Sequence, residues 1–193
     1  MMILSTLKLW EVLPLRRILC PSLALVLFAS LAAAAPVPVA ITSAGQSADA
    51  QMVFVLMRMK GMEMAFDQLM RPEALEGKRA LVVVIGGSSK GLGAAGIDRE
   101  AERDRVVRLL EAAKSRGVLV VALHVGGEAR RGPLSDYFAE AVIPFAEHLL
   151  VVREGNRDGF LSRLAERSGA RLVEVEAIQD VASPLEEVLR PLI

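Results

Sequence analysis

The sequence has 193 residues, 53% of them hydrophobic, with 23 basic and 23 acidic side chains and a mean hydropathy of +0.41. That is enough chain for one domain with a sizeable core, and the balanced charge argues against a general nucleic-acid binder. Cys20 is the single cysteine, so disulfides, thiolate catalysis in the main domain and cysteine-ligated metals are excluded.

Arg16 and Arg17 precede an uncharged run, residues 18–35, that ends in alanines. A basic start, an apolar middle and small residues at the end are the parts of a secretory signal. Ala32 and Ala34 satisfy the small-x-small rule and place a cut after Ala34, while Pro36 disfavours one after Ala35. The expectation is export to the periplasm or another extracytoplasmic space, with 1–35 as signal peptide and 36–193 as a single α/β domain. Left uncut, the same run acts as a membrane anchor, since about eighteen apolar residues just span a bilayer. Cys20 has no lipobox before it. Loss of Lys8, Glu11, Arg16 and Arg17 leaves the remainder slightly acidic.

Residues 37–42 (VPVAIT) read as a first strand and 43–48 (SAGQSA) as a polar turn. Ser47 or Asp49 is placed to cap a helix over 49–60, which Gly61 ends. Residues 62–66 allow a short second strand, and Pro72 opens a helical turn at 72–75. The run 80–85 is entirely apolar and mostly β-branched, the mark of a strand buried on both faces. A glycine-rich loop follows over 86–98. Asp98 caps an amphipathic helix over 99–116, with Val106, Val107, Leu109, Leu110 and Ala113 on its apolar face. Strands at 118–125, 148–152 and 171–175 alternate with helices at 133–146, disturbed near Pro144, and at 159–168. A last helix starts at Pro184. This alternation predicts a three-layer α/β domain, flavodoxin-like or Rossmann-like, with a mostly parallel open sheet of five to six strands. Right-handed crossovers gather the carboxyl ends of the strands on one side, where ligands bind at a topological switch point.

Four loops at that edge are rich in glycine, serine, asparagine and charge, whereas those at the opposite edge read as ordinary turns. The candidate binding site takes Ser43, Gly45, Gln46 and Ser47 from the first loop. From the second it takes Gly86, Gly87, Ser88, Ser89, Lys90, Gly91 and Asp98. The third supplies His124, Gly126, Gly127, Glu128, Arg130 and Arg131, and the fourth Asn156. Glycine lets a ligand approach the backbone closely. Lys90, Arg130 and Arg131 offer positive charge, and the arginine fork matches a carboxylate or phosphate. Asp98, Glu128, Asp136 and Asp158 are the groups that neutralise those arginines if the loops pair internally. His124 is the one catalytic candidate, as a base beside a loop serine or carboxylate; its bland alternative is a histidine satisfied inside the sheet. No G-x-S-x-G elbow is present. His148 lies at the opposite edge and reads as structural. The methionines after residue 35 all fall between positions 52 and 70. Their Met-x-Met pairs suit Cu(I), but Met52, Leu56 and Met59 at helical spacing read as core, and no metal is assigned.

The run GGSSKGLG (86–93) is similar to the glycine motif of short-chain dehydrogenases. Tyr137, however, is followed four residues on by Ala141 where that family has lysine, so no cofactor is assigned. Four ordered segments, ITSAGQSADA (41–50), GGSSKGLGAAGID (86–98), HVGGEARRG (124–132) and REGNRDG (153–159), resemble the signature segments of a bacterial family of exported proteins catalogued only as a domain of unknown function. The resemblance covers essentially all of 36–193. It implies one site built from the four segments and brings no activity, substrate or catalytic residue. The functional expectation is an extracytoplasmic module that binds a small polar, anionic molecule and serves a membrane transporter. The alternative is an exported hydrolase that uses His124 with a loop serine or carboxylate.

Overall fold

The structure is a computed structural model and describes residues 37–193; the expected signal peptide lies outside the described residues. The apolar runs form six strands: β1 (Val39–Ala44), β2 (Ala65–Phe66), β3 (Ala80–Ile85), β4 (Leu119–His124), β5 (His148–Val152) and β6 (Arg171–Val175). They join in one sheet of order β2-β1-β3-β4-β5-β6, and every pairing is parallel. The α-helices among the described residues are α1 (Asp49–Met59), α2 (Ser89–Ala95), α3 (Arg99–Ser115), α4 (Pro133–Val142), α5 (Phe160–Ser168) and α6 (Ala182–Leu189). This is the expected three-layer, doubly wound α/β fold.

Every side chain of β3 is buried because the strand lies between β1 and β4 with helices on both faces. Leu81, Val83 and Ile85 enter a core shared with Leu109 and Leu110 of α3 and Phe138 of α4. Val82 and Val84 enter a second core with Val53 and Met57 of α1 and Leu185 and Leu189 of α6. Each such side chain contributes about 1.5–3 kcal/mol on burial. The connection from β1 therefore leaves on the α1 face and that from β3 on the α3 face. The switch point lies between β1 and β3, and the loops after those strands flank it.

Some local expectations are corrected. The second loop is not open, because Ser89–Ala95 coil into α2, with Ser88 Oγ accepting the Gly91 N–H at 3.0 Å and Gly96 closing the helix at φ +69°. Glycine disfavours a helix interior by about 1 kcal/mol, so SKGLGAA looks like loop; the buried Leu92 holds it down. At α1 the N-cap position is Ala48, which has no capping side chain, and Ser47 Oγ, one residue earlier, accepts the free N–H of Asp49 at 3.3 Å. Met52 and Met59, expected in the core, are 47% and 80% exposed. Asp49 turns inward beneath the loops, and the positions one and two turns on, Val53 and Met57, follow it. The last helix begins two residues ahead of Pro184. No helix among the described residues is long and apolar enough to cross a membrane. Residues 36–193 form one compact unit that holds both cores and the whole sheet.

Candidate functional site

The β1 loop turns at Gly45 (φ +101°) and Gln46 (φ +59°), the latter the one non-glycine residue with positive φ among those described. That conformation is unfavourable for a side chain beyond glycine, and a buried network holds it. Gln46 Nε2 donates to Glu102 Oε1 at 2.9 Å and to the Gln68 carbonyl at 3.0 Å, and the Gly45 N–H donates to the same Oε1 at 3.0 Å. Glu102 is fully buried. Arg105 meets its charge with Nε 2.7 Å from Oε2 and Nη2 2.9 Å from Oε1, and donates onward to the Ser43 carbonyl at 2.6 Å. Sequence reasoning missed both residues. The available signal was Glu102 one turn ahead of Val106 on the apolar stripe of α3, where a solvated acid does not belong.

The β3 loop is stitched to this turn. The Gly86 N–H donates to the Ala44 carbonyl at 2.9 Å and the Ser88 N–H to the Gly45 carbonyl at 2.8 Å. The Gly87 N–H donates to Ser135 Oγ at 2.9 Å. The loop glycines make room for neighbouring protein. A Cβ on Gly86 falls 2.4 Å from Ser47 Oγ, one on Gly91 1.9 Å from the Gln46 carbonyl oxygen, and one on Gly126 2.0 Å from Arg130 Cγ.

Beyond β4 and β5 the charges pair with one another. Ser47 Oγ donates to Asp49 Oδ2 at 3.1 Å, and the buried Asp49 carboxylate faces Arg130 Nε at 3.7 Å. Arg131 donates to Asp136 at 2.8 Å and to Asp158 at 3.0 Å, and its guanidinium lies over the Phe160 ring. The hydrogen bond to Asp136 raises the Arg131 pKa, and the hydrogen bond from Arg131 holds Asp158 at about 2. Glu128 pairs with Arg157. The Gly127 carbonyl accepts the Arg130 N–H at 3.3 Å. Asp98 caps α3 by accepting the Ala101 N–H at 2.7 Å, as expected.

Asn156 is a structural hub. Its Oδ1 accepts the N–H groups of Leu161 and Ser162 at the start of α5, and its Nδ2 donates to Ser162 Oγ and Glu174 Oε1. Asn156→Ala is expected to cost about 1–3 kcal/mol, read by urea unfolding, because it frees two helix donors at once.

His124 ends β4, only 1% exposed, and neither ring nitrogen has a hydrogen-bonding partner. Burial, then the Arg131 charge, pushes its pKa below the usual 6.5. The unfolded chain therefore takes up this proton first. Stability is full above pH 6.5 and falls as pH drops below it. His148 is shifted the same way by burial. Urea midpoints are expected to fall between neutral and mildly acid pH, and His124→Leu to flatten part of that slope.

A groove of about 710 Å³ opens at the switch point. Gln46 and Ala48 of the β1 loop, Phe66, Asp67, Gln68 and Leu69 around the end of β2, and Ser88, Lys90, Gly91, Ala94 and Ala95 of α2 and its cap line it; Asp67, the one acid among them, accepts the Leu69 N–H at 2.8 Å. Of the sequence-predicted site residues, the groove gathers Gln46, Ser88, Lys90 and Gly91. Ser89 is exposed on the first turn of α2. Arg131 and Glu128 line a separate hollow of about 410 Å³ with Asp136, Arg157 and Asp158. The structure thus divides the predicted residues between an open groove and a set of internally paired charges. Among the described residues no three His, Cys, Asp or Glu side chains converge as metal ligands do.

Comparison with known proteins adds a family. Residues 36–189 match the model of a domain of unknown function, DUF6305. The chain belongs to the DUF6305 family. This agrees with the resemblance of its four loop segments. No curated protein matches the DUF6305 chain. Among solved structures it is similar to AlinE4, an SGNH-hydrolase family esterase, at 15% identity and a TM-score of 0.28, over 78% of this chain and 82% of that one. Two structures of single-residue variants of the same esterase match at 14% and 13% identity, with TM-scores of 0.28 and 0.29 and the same coverage. At such identity and TM-score the likeness carries no conclusion about this chain.

Proposed function

We propose that this DUF6305 chain is an extracytoplasmic binding module that holds a small anionic molecule in the groove at the switch point. The observation that carries this reading is the place of Lys90. It is exposed in the groove and, among the described residues, has no carboxylate partner, whereas Arg130 and Arg131 are already matched. The groove lies where open α/β sheets bind ligands, and its volume suits a small molecule. Phe66, Leu69, Ala94 and Ala95 supply apolar walls, so the preferred ligand has an anionic head and a short apolar body. Export rests on the reading of residues 1–35.

Calorimetric titration with short-chain alkyl carboxylates and alkyl phosphates tests this. A probe that binds is expected to lose about tenfold or more in affinity on Lys90→Ala, and to bind more weakly at high salt. Unchanged affinity in that variant contradicts the reading.

A second reading is a hydrolase that uses His124 with Ser47 or Asp49. Its support is the buried, unpartnered His124 ring together with the Ser47–Asp49 pair. It requires Arg130 to swing off Asp49, since Ser47 and Asp49 are 1% and 3% exposed. Ester hydrolysis that disappears in His124→Ala while probe binding persists favours this alternative.

A further inference from the structure

The switch-point groove does not end at Leu69. A second hollow of about 530 Å³ begins at the same side chain, so Leu69, 38% exposed, stands in the wall of both. Both walls run on in sequence from one hollow to the next. On one side Gln68 and Leu69 of the groove lead to Arg71, Pro72 and Glu73. On the other, Ala94 and Ala95 lead to Ile97, Ala101, Arg105 and Arg108. The 67–73 connection is tied along α3, where Arg105 Nη1 donates to the Met70 carbonyl and Arg116 Nη1 to the Pro72 carbonyl, each at 2.9 Å. Groove and hollow thus form one trough between that connection and the α2–α3 wall.

The second wall carries a cation at each end and small or apolar side chains between. From Lys90 it passes through Ala94, Ala95, Ile97 and Ala101 to Arg108, and Ala101 and Arg108 alone lie two helical turns, about 10 Å, apart. In the second hollow three guanidinium groups face one lining acid, Glu73. Arg105 is neutralised by Glu102. Arg71 and Arg108 are exposed and, among the described residues, have no carboxylate within ion-pair distance, Glu73 included. Asp104 and Glu111 stand at helical pairing distance from Arg108 in sequence, yet neither pair forms and neither acid lines the hollow. Along the whole trough the free cations Lys90, Arg71 and Arg108 oppose two acids, Asp67 and Glu73, and Asp67 is turned onto the Leu69 N–H.

Resting on the reading of the groove as an anion site, we propose that its ligand is anionic at both ends with an apolar chain between. One head sits on Lys90, the chain passes along Leu69 and Ile97, and the second head takes hydrogen bonds from Arg71 and Arg108. A guanidinium donates two parallel hydrogen bonds to a carboxylate or phosphate, which fixes the far head as well as attracting it.

The test compares octanoate with suberate, its two-headed counterpart, by calorimetric titration of residues 36–193, with succinate and sebacate to vary the reach. Suberate or sebacate is expected to bind about tenfold tighter than octanoate, and succinate, too short to reach both ends, to show no such gain. The double variant Arg71→Ala with Arg108→Ala is expected to erase the gain, so that the long dicarboxylates fall to the affinity of octanoate. Lys90→Ala is expected to weaken both kinds of probe. Arg167→Ala, exposed on α5 and outside the trough, is expected to leave all affinities unchanged. The replaced side chains are exposed, and unaltered melting temperatures show that the variants fold. Octanoate binding with no gain from a second carboxylate at any length, or a gain that survives the double variant, overturns the proposal and leaves the one-headed groove standing. If neither one-headed nor two-headed probes bind, the groove reading itself fails and this inference falls with it.

Discussion

Replacing Glu102 by alanine is expected to lower the unfolding free energy by about 3–5 kcal/mol, the largest effect of any single change outside the apolar core. A melting temperature lower by on the order of 10 °C follows for a domain of this size. Glu102 accepts from Arg105, from the Gln46 amide and from the Gly45 N–H. Its removal strands a nearly buried guanidinium and two polar donors together, and a donor left without an acceptor costs more than a hydrogen bond gains. Replacing the pair by Glu102→Leu with Arg105→Met is expected to recover most of the loss, because no charge then remains to be solvated. The change also releases Gln46 from its left-handed backbone, so the Glu102→Ala protein is expected to lose affinity in the groove. Urea unfolding and probe titration on the same samples check both effects. A loss below about 1 kcal/mol means that the network is not what holds the β1 loop.

Two glycines of α2 are expected to respond in opposite directions to alanine. Alanine gains about 1 kcal/mol over glycine in a helix interior. At Gly93 nothing lies within 4 Å of the added Cβ, so Gly93→Ala is expected to stabilise by up to about 1 kcal/mol. At Gly91 the added Cβ falls 1.9 Å from the Gln46 carbonyl oxygen. That atom belongs to backbone fixed by Glu102 and cannot step aside cheaply. Overpacking of about 1–3 kcal/mol or more then outweighs the helix gain, and Gly91→Ala is expected to be destabilised and to disturb the groove. Thermal melts of the two variants side by side decide the matter; the same sign at both positions rules out close packing of α2 on the β1 loop.

The fold was legible because its signals are local. The β-branched run at 80–85 and the strands at 148–152 and 171–175 coincide with β3, β5 and β6 to within a residue, and alternation with helices leaves few windings. The carboxyl edge followed from the same logic. The pairing inside that edge was not legible, because Asp49 meets Arg130 and Arg131 meets Asp158 across separate loops, and spacing alone does not say which acid reaches which base. The groove was half visible. Lys90 stood out as a cation among glycines, whereas Phe66, Leu69, Ala94 and Ala95 look like ordinary core or helix positions until β2 and α2 bring them together. Glu102 was hidden by its company, in a helix so dense in Glu and Arg that one buried acid does not stand out.

The most direct test of the account is the position of a bound anion. In backbone amide spectra of residues 36–193, titration with an alkyl phosphate or alkyl carboxylate is expected to move the signals of Gln46, Gln68, Leu69 and Ser89–Ala95. Those of Arg131, Asp136 and Asp158 are expected to stay fixed, because their charges are already matched. Shifts centred on Arg131 and Asp158, with α2 silent, contradict the claim that Lys90 and the switch-point groove form the binding site.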